Sequence, residues 1–217
     1  MFISSRDPQS IEATGREIGA AGWSAADVSK DGEPEGLVGA AAGELGGLDI
    51  LIVNAGGPPM GNFQTLALEA WDAAYQLTLM SAVRLVGAAL PHLKRSDQAR
   101  IVFITSISVR QPIGNLVLSN SLRGAVTGLA KTLSLELAPD HITVNCVAPD
   151  AILTDRIRHL VGGEEENVKR MAERTPMKRL GTPAEFAAAC AFLCSRQAAY
   201  ISGQTLGVDG GSLLGVH

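Results

Sequence analysis

Four short apolar runs, continuous rather than alternating with polar residues, constrain this chain more than any other feature. They are LDILIVNAG (48–56), ARIVFITS (99–106), HITVNCVAP (141–149) and TLGVDGG (205–211). Runs of this kind read as strands covered on both faces, the condition of a parallel sheet. GWSAADVS (22–29) is a weaker member of the set, and FISSR at the start reads as the tail of another strand. Helical periodicity fills the intervals. Trp71, Tyr75, Leu79, Ala82, Val86, Leu90 and Leu93 recur at three and four, as do Leu122, Val126, Leu129, Leu133 and Leu137. A later helix opens with TPAE, where Thr182 caps, Pro183 fits the first position and Glu185 closes a capping box. Strands alternating with helices predict one doubly wound, Rossmann-like α/β domain over residues 1–217, with right-handed crossovers.

Composition narrows the partners. The chain has 217 residues, 46% hydrophobic, with 24 glycines and 4% aromatics, which suits close helix-on-sheet layers. A formal charge of −4 without a block of like charge argues against nucleic acid and anionic membranes. No unbroken apolar run reaches the roughly 18 residues of a spanning helix, and MFISSRDPQS lacks the layout of a signal peptide. Cys146 lies in a strand, Cys190 and Cys194 lie four apart on a helix, and no histidine is spaced to join them. Buried thiols in a reducing cytoplasm, without metal or disulfide, are the expectation.

Several motifs in order resemble the short-chain dehydrogenase/reductase family. They are SSRDPQSIEATGREIGAAG, D-V at 27–28, NAG at 54–56, ITS at 104–106, VAPDAILT (147–154), PMKRLGTPAE (176–185) and YISGQTLGVDGG (200–211). The resemblance implies a sheet lacking the family's usual first strand and glycine-rich loop, which hold the cofactor pyrophosphate through backbone N–H groups at a helix start. TGREIGAAG (14–22) mimics such a loop, but it continues an amphipathic helix ending at Gly22 and follows no strand. GAAAGELGG (39–47) precedes a strand rather than following one, so its glycines end a helix. Relative to the family the chain is expected to be shorter by roughly one 30-residue strand–loop–helix unit. The absent strand would lie between FISSR and LDILIVN. The gap would be filled by pairing of its neighbours, by a partner chain or by upstream residues.

The resemblance also locates the catalytic positions. Members use a serine, a tyrosine thirteen residues later, a lysine four further on, and an asparagine on the preceding helix. Here Ser106 keeps its place, Ser119 stands where tyrosine would be, Arg123 where lysine would be, and Thr78 where asparagine would be. An alcohol is a far weaker acid than a phenol, and arginine stays protonated above pH 12, so neither replacement shuttles a proton near neutrality. Ser106, Ser119 and Arg123 could still bind an anionic or carbonyl oxygen. Equally, Ser119 and Arg123 could continue through Thr127 and Lys131 as a stripe facing water. His159 lies in the segment that covers substrate in this family and is the best spare acid/base by its intrinsic pKa. Tyr75 and Tyr200 read as structural, His92 and His141 as surface.

For the cofactor, the resemblance implies Arg6 beside a 2′-phosphate, Asp27 and Val28 at the adenine edge, and Asn54, Ala55 and Gly56 on the cleft floor, with Ile152 and Thr154 meeting the carboxamide. Asp150 replaces a usual glycine there. Without the pyrophosphate loop, NADP binding is expected to be weak or absent. Three readings follow. One is an NADP-dependent oxidoreductase acting on a small alcohol or carbonyl with atypical catalytic residues. Another is a catalytically inactive relative serving as an oligomer-forming or ligand-binding subunit. An anion-binding module built on Ser119 and Arg123 is the third. A small-molecule substrate and assembly into a dimer or tetramer are the implied partners.

Overall fold

The computed structural model describes residues 1–160, 162 and 164–215. Its elements run β1 (Phe2–Ser5), α1 (Pro8–Glu17), β2 (Gly22–Ala25), α2 (Glu33–Leu45), β3 (Ile50–Val53), α3 (Leu68–Tyr75), α4 (Ser81–Leu93), β4 (Arg100–Ile104), α5 (Val117–Glu136), β5 (Thr143–Pro149), α6 (Asp155–Leu160), α7 (Glu165–Arg174), α8 (Pro183–Cys194) and β6 (Thr205–Val208). Every ladder is parallel, with helices in the crossovers, and the architecture is the expected doubly wound, Rossmann-like α/β fold. The ladders fall into two sheets. One has the order β3-β4-β5-β6, the other holds β1 and β2, and no ladder joins β1 to β3 among the described residues. Direct pairing of those two strands is therefore not how the chain closes its sheet.

Two covering layers enclose the larger sheet. Side chains on one face, Val53, Ile101, Phe103, Val144 and Cys146, pack under α2, α4 and α5 with Val38, Val86, Leu93 and Val126. On the other face, Val102 and Val147 lie under α8 against Cys190, Leu193 and Cys194. Burial pushes the Cys146 and Cys194 thiols up to about 11, and all three cysteines are free and buried. The Leu68–Leu93 stretch is long and apolar enough by composition to cross a membrane, a property that inspection for unbroken runs missed. Its apolar side belongs to the core, through Ala82, Val86, Ala89 and Leu93.

Several boundaries differ from the sequence reading. Helix α1 stops at Glu17, not Gly22. Gly19 adopts a left-handed conformation that lets Ala20 N–H reach Gly15 O, and Gly22 starts β2. Gly15, inside the loop-like TGREIGAAG, is a packing glycine, since a Cβ there would come within 2.4 Å of the Trp23 ring. Strand β2 ends at Ala25 because Asp27 accepts from Ser29 N–H and turns the chain. The long helix is not uniform, for Gln76–Met80 form a π turn between α3 and α4. Tyr75 is not a core residue, nor is Tyr200, which is fully exposed. The Thr182–Glu185 capping box and the glycine stop of α2 at Gly46 form as expected.

Coverage is uneven along the sheet, and stability should follow it. Phe103 is fully buried whereas Ile52 is 48% exposed. Phe103→Ala is expected to cost roughly 3–5 kcal/mol, and Ile52→Ala about 1 kcal/mol or less. Urea unfolding of the two variants beside the parent protein measures both.

Candidate active site

Parallel strands bring their carboxyl ends to one edge, and Arg6, Asp27, Asn54 and Ser106 follow β1 to β4 along it, with Ile152 just beyond β5. Arg6 follows β1 and Asp27 follows β2; they lie close enough for Arg6 to help hold the Asp27 carboxyl below its ordinary value, behind the larger effect of the Ser29 hydroxyl hydrogen bond. Asp27 N–H also donates to Glu33. Val28, placed beside adenine by the resemblance, is partly buried and packs against the main core. Asn54, Ala55 and Gly56 follow β3, with Asn54 exposed. Ile152 is buried, and its side chain lies where a Cβ on Gly181 would meet it at 2.6 Å. The Ile152 segment is pinned by Leu153 N–H to Gly181 O at 2.8 Å and Gly181 N–H to Ala151 O at 3.0 Å. Thr154 caps the start of α6 through Ile157 N–H.

Ser106 ends β4 with extended backbone and caps the short 3-10 turn after it, its Oγ accepting from Ser108 N–H at 3.1 Å. That bond uses a lone pair and leaves the hydroxyl proton to donate elsewhere. Across from it, Ser119 and Arg123 lie one turn apart on α5, both half-buried. The stripe is tied to the sheet in part. Arg123 Nη1 donates to Ile104 O at 2.9 Å, Thr127 Oγ1 to Arg123 O at 2.9 Å, and Lys131 Nζ to Gly203 O at 3.3 Å. Of these bonds the first reaches a strand end, the second lies within α5, and the third joins an exposed lysine to the loop before β6. Neighbouring Asn120 clamps the loop ahead of α5, its Nδ2 donating to Ile113 O at 2.9 Å and its Oδ1 accepting from Ile113 N–H at 3.3 Å.

Two buried hydroxyls near this edge, Thr78 Oγ1 in the π turn and Ser108 Oγ, have no hydrogen-bond partner among the described residues. Thr78 was located by counting from Trp71, but the π turn carrying it has no glycine or proline to announce it. The His159 side chain lies outside the described residues. A cleft of about 420 Å³ opens beside Ile152, between Thr175, Met177, Arg179 and Asp209, and neither Ser106, Ser119 nor Arg123 lines it. Arg179 grips Glu185 through paired bonds of 2.8 and 2.6 Å, which with Thr182 hold the Glu185 carboxyl down at about 2. No cluster of three potential metal ligands occurs among the described residues.

A family model described as enoyl-(acyl carrier protein) reductase matches residues 2–212. The human dehydrogenase/reductase SDR family member 4 is 33% identical over 98% of this chain and 78% of its own. The chain belongs to the short-chain dehydrogenase/reductase family. Solved relatives agree. The NADPH-dependent reductase YwfH, involved in bacilysin biosynthesis, is 30% identical and superposes with a TM-score of 0.93 over 99% of this chain and 89% of its own. An NADPH-bound short-chain oxidoreductase from Pseudomonas aeruginosa PAO1, described as containing an atypical catalytic center, is 29% identical, with a TM-score of 0.89 over 100% of this chain and 87% of its own. As a family member this chain is an oxidoreductase of the short-chain type with a nicotinamide-binding architecture.

The Asn120 clamp sets the loop that approaches Ser119. Asn120→Ala removes both bonds to Ile113 and is expected to cost about 1–3 kcal/mol. It should also speed limited proteolysis within residues 110–116, read by mass spectrometry of the fragments.

Proposed function

We propose that this chain is an NADP-dependent oxidoreductase of atypical catalytic make-up, acting on a small alcohol or carbonyl compound. The observation that carries the reading is the gathering of Ser106, Ser119 and Arg123 at the carboxyl ends of the strands, in a fold shared with NADPH-dependent relatives. A relative with its own atypical center supports chemistry outside the usual tyrosine route.

The residues fit the two ends of a nicotinamide dinucleotide better than its middle. Arg6 and Asp27 suit the adenosine end, and Asn54, Ala55 and Gly56 with Ile152 and Thr154 suit the nicotinamide end. The described start of α1 does not suit a pyrophosphate. Pro8 brings no N–H, and the Asp7 carboxylate already accepts from Ser10 N–H at 2.6 Å. Weak NADP binding follows. When bound, the cofactor supplies or takes a hydride. Ser106 then offers its O–H to the substrate oxygen, while Arg123 holds the end of β4 in place and lends positive charge near that oxygen. Neither Ser119 nor Arg123 titrates near neutrality, so the proton exchanges with water through the hydroxyls rather than through a phenol. A homo-oligomer with a small-molecule substrate completes the proposal.

Three outcomes check it. NADPH titration by calorimetry should give no binding at micromolar or lower concentration, and a micromolar or lower Kd would refute the weak-binding part. The double variant Ser119→Tyr, Arg123→Lys should raise carbonyl reduction across a panel of small ketones by 10²–10⁴, the usual contribution of a placed general acid. An unchanged rate would sink the atypical-site reading. In the parent protein, turnover should show no titration step of a lowered phenol between pH 6 and 9.

A further inference from the structure

A single guanidinium joins two elements that belong to different ends of the candidate site. Arg84, in the first turn of α4, has a side chain only 16% exposed; its Nη2 forms an ion pair with the Asp31 carboxylate and donates to Gln76 Oε1 at 3.0 Å. Its Nη1 is buried without a partner among the described residues. Asp31 belongs to the turn after β2 that carries Asp27 and Ser29. Among the described residues, the other hydrogen bonds and ion pairs of residues 27–32 stay between positions 27 and 36. The Arg84 pair is what ties this turn to the helices beyond. Gln76 opens the π turn. Ser81 N–H reaches Gln76 O five residues back, and Ser81 Oγ donates to Leu77 O. In an uninterrupted α-helix, residues eight apart diverge by about 80° around the axis. One inserted residue makes eight count as seven, and residues seven apart share a face. The Gln76–Arg84 bond therefore matches the π turn, and a plain helix would turn Gln76 aside from it.

We infer that Arg84 is a positioning residue, which sets the Asp27 turn and the π turn bearing Thr78 against each other so that neither moves alone. That Asp27 meets the adenosine end of the cofactor rests on the function proposed above; the coupling itself does not. Burial supplies the mechanism. A guanidinium held this far from water needs its acceptors, because a buried charge that loses one is left uncompensated. With the Asp31 charge removed, the side chain gains by swinging out to water, and Gln76 is released. With the Gln76 amide removed, the guanidinium loses its anchor on the helix. The Asp31 side chain, 86% exposed, then has nothing fixed to hold. Order thus passes from the helix to the turn and back. Lys30 and Glu33, 3.9 Å apart and more exposed, form the ordinary surface pair that contributes little. Helix α5, with Ser119 and Arg123, packs on the same π turn, so the link runs from the carboxyl end of β2 to the candidate catalytic edge.

The test follows amide hydrogen exchange in residues 28–32 and 77–81 by NMR or mass spectrometry, with Phe103 as the core reference. Asp31→Asn should speed exchange across 77–81 by about fivefold or more, besides loosening its own turn, and Gln76→Leu should speed 28–32 by the same factor, since coupling is reciprocal. Arg84→Met should do both, and adding Asp31→Asn to it should change nothing further. Phe103 should stay protected throughout. If Arg84→Met loses that protection, the two outer variants, which keep the guanidinium, decide. The inference is overturned if each outer variant loosens only its own element, or if neither loosens anything. Adenosine 2′,5′-bisphosphate, titrated by NMR at millimolar concentration, separates this link from the cofactor reading. Gln76→Leu, on another element, should weaken its binding by about fivefold or more. Binding that Gln76→Leu leaves unchanged removes the link's reach to the adenosine end. Coupled exchange with no binding of this probe to any form refutes the cofactor reading and leaves the Arg84 link standing.

Discussion

A strand in the interior of a parallel sheet carries donors and acceptors on both edges, and burial obliges each of them to find a partner. Strand β4 meets that condition fully, held between β3 and β5 in register from Arg100 to Ile104. Its end is the fixed point of the site. Ile104 O receives the Arg123 guanidinium, and Ser106 turns the chain into the loop that Asn120 clamps. Were β4 free to slip, those bonds would lose their common reference and the carboxyl-edge cleft its shape. Among the described residues, strands β1 and β3 meet the condition on one edge.

That contrast explains what could be read from the sequence. The runs at β4 and β5 announced doubly covered strands, and those strands are buried along nearly their whole length. LDILIVN carries the same signature, yet Ile50 and Ile52 stand exposed. An apolar run records the environment a strand is built for, and it says nothing of whether the covering element is at hand. The capping box of α8 was legible because its signal is local, contained in four residues. The π turn at Gln76–Met80 was not, since apolar spacing cannot distinguish one inserted residue in a helix.

The site divides in the same manner. Counting from Ser106 places Ser119 and Arg123 one turn apart near the end of β4, where Arg123 reaches Ile104 O, because α5 is regular enough to carry a count. What those side chains bond to was illegible, since their partners lie far away in sequence. Arg123 reaches Ile104, Lys131 reaches Gly203, and Arg110 reaches Thr205 O at 2.8 Å. A guanidinium drawn as an anion fork thus serves also as a tie for a strand end, and part of its positive field is spent on that carbonyl. Val28, which the resemblance puts beside adenine, has a packing role the sequence did not announce, partly buried against the core.

The strand ends on either side of the β1–β3 break differ in what they can offer an anion. Gripping a pyrophosphate takes several main-chain N–H groups at the start of a helix that follows a strand. At the carboxyl end of β1 that role is closed off, because Asp7 caps α1 with its own carboxylate and Pro8 withholds a donor. Strand β3 leads into the Asn54–Gly56 segment and a long loop rather than directly into a helix. Of the two strand ends, then, one presents a helix start whose first donors are withheld or taken by its own cap, and the other has no helix start directly after it.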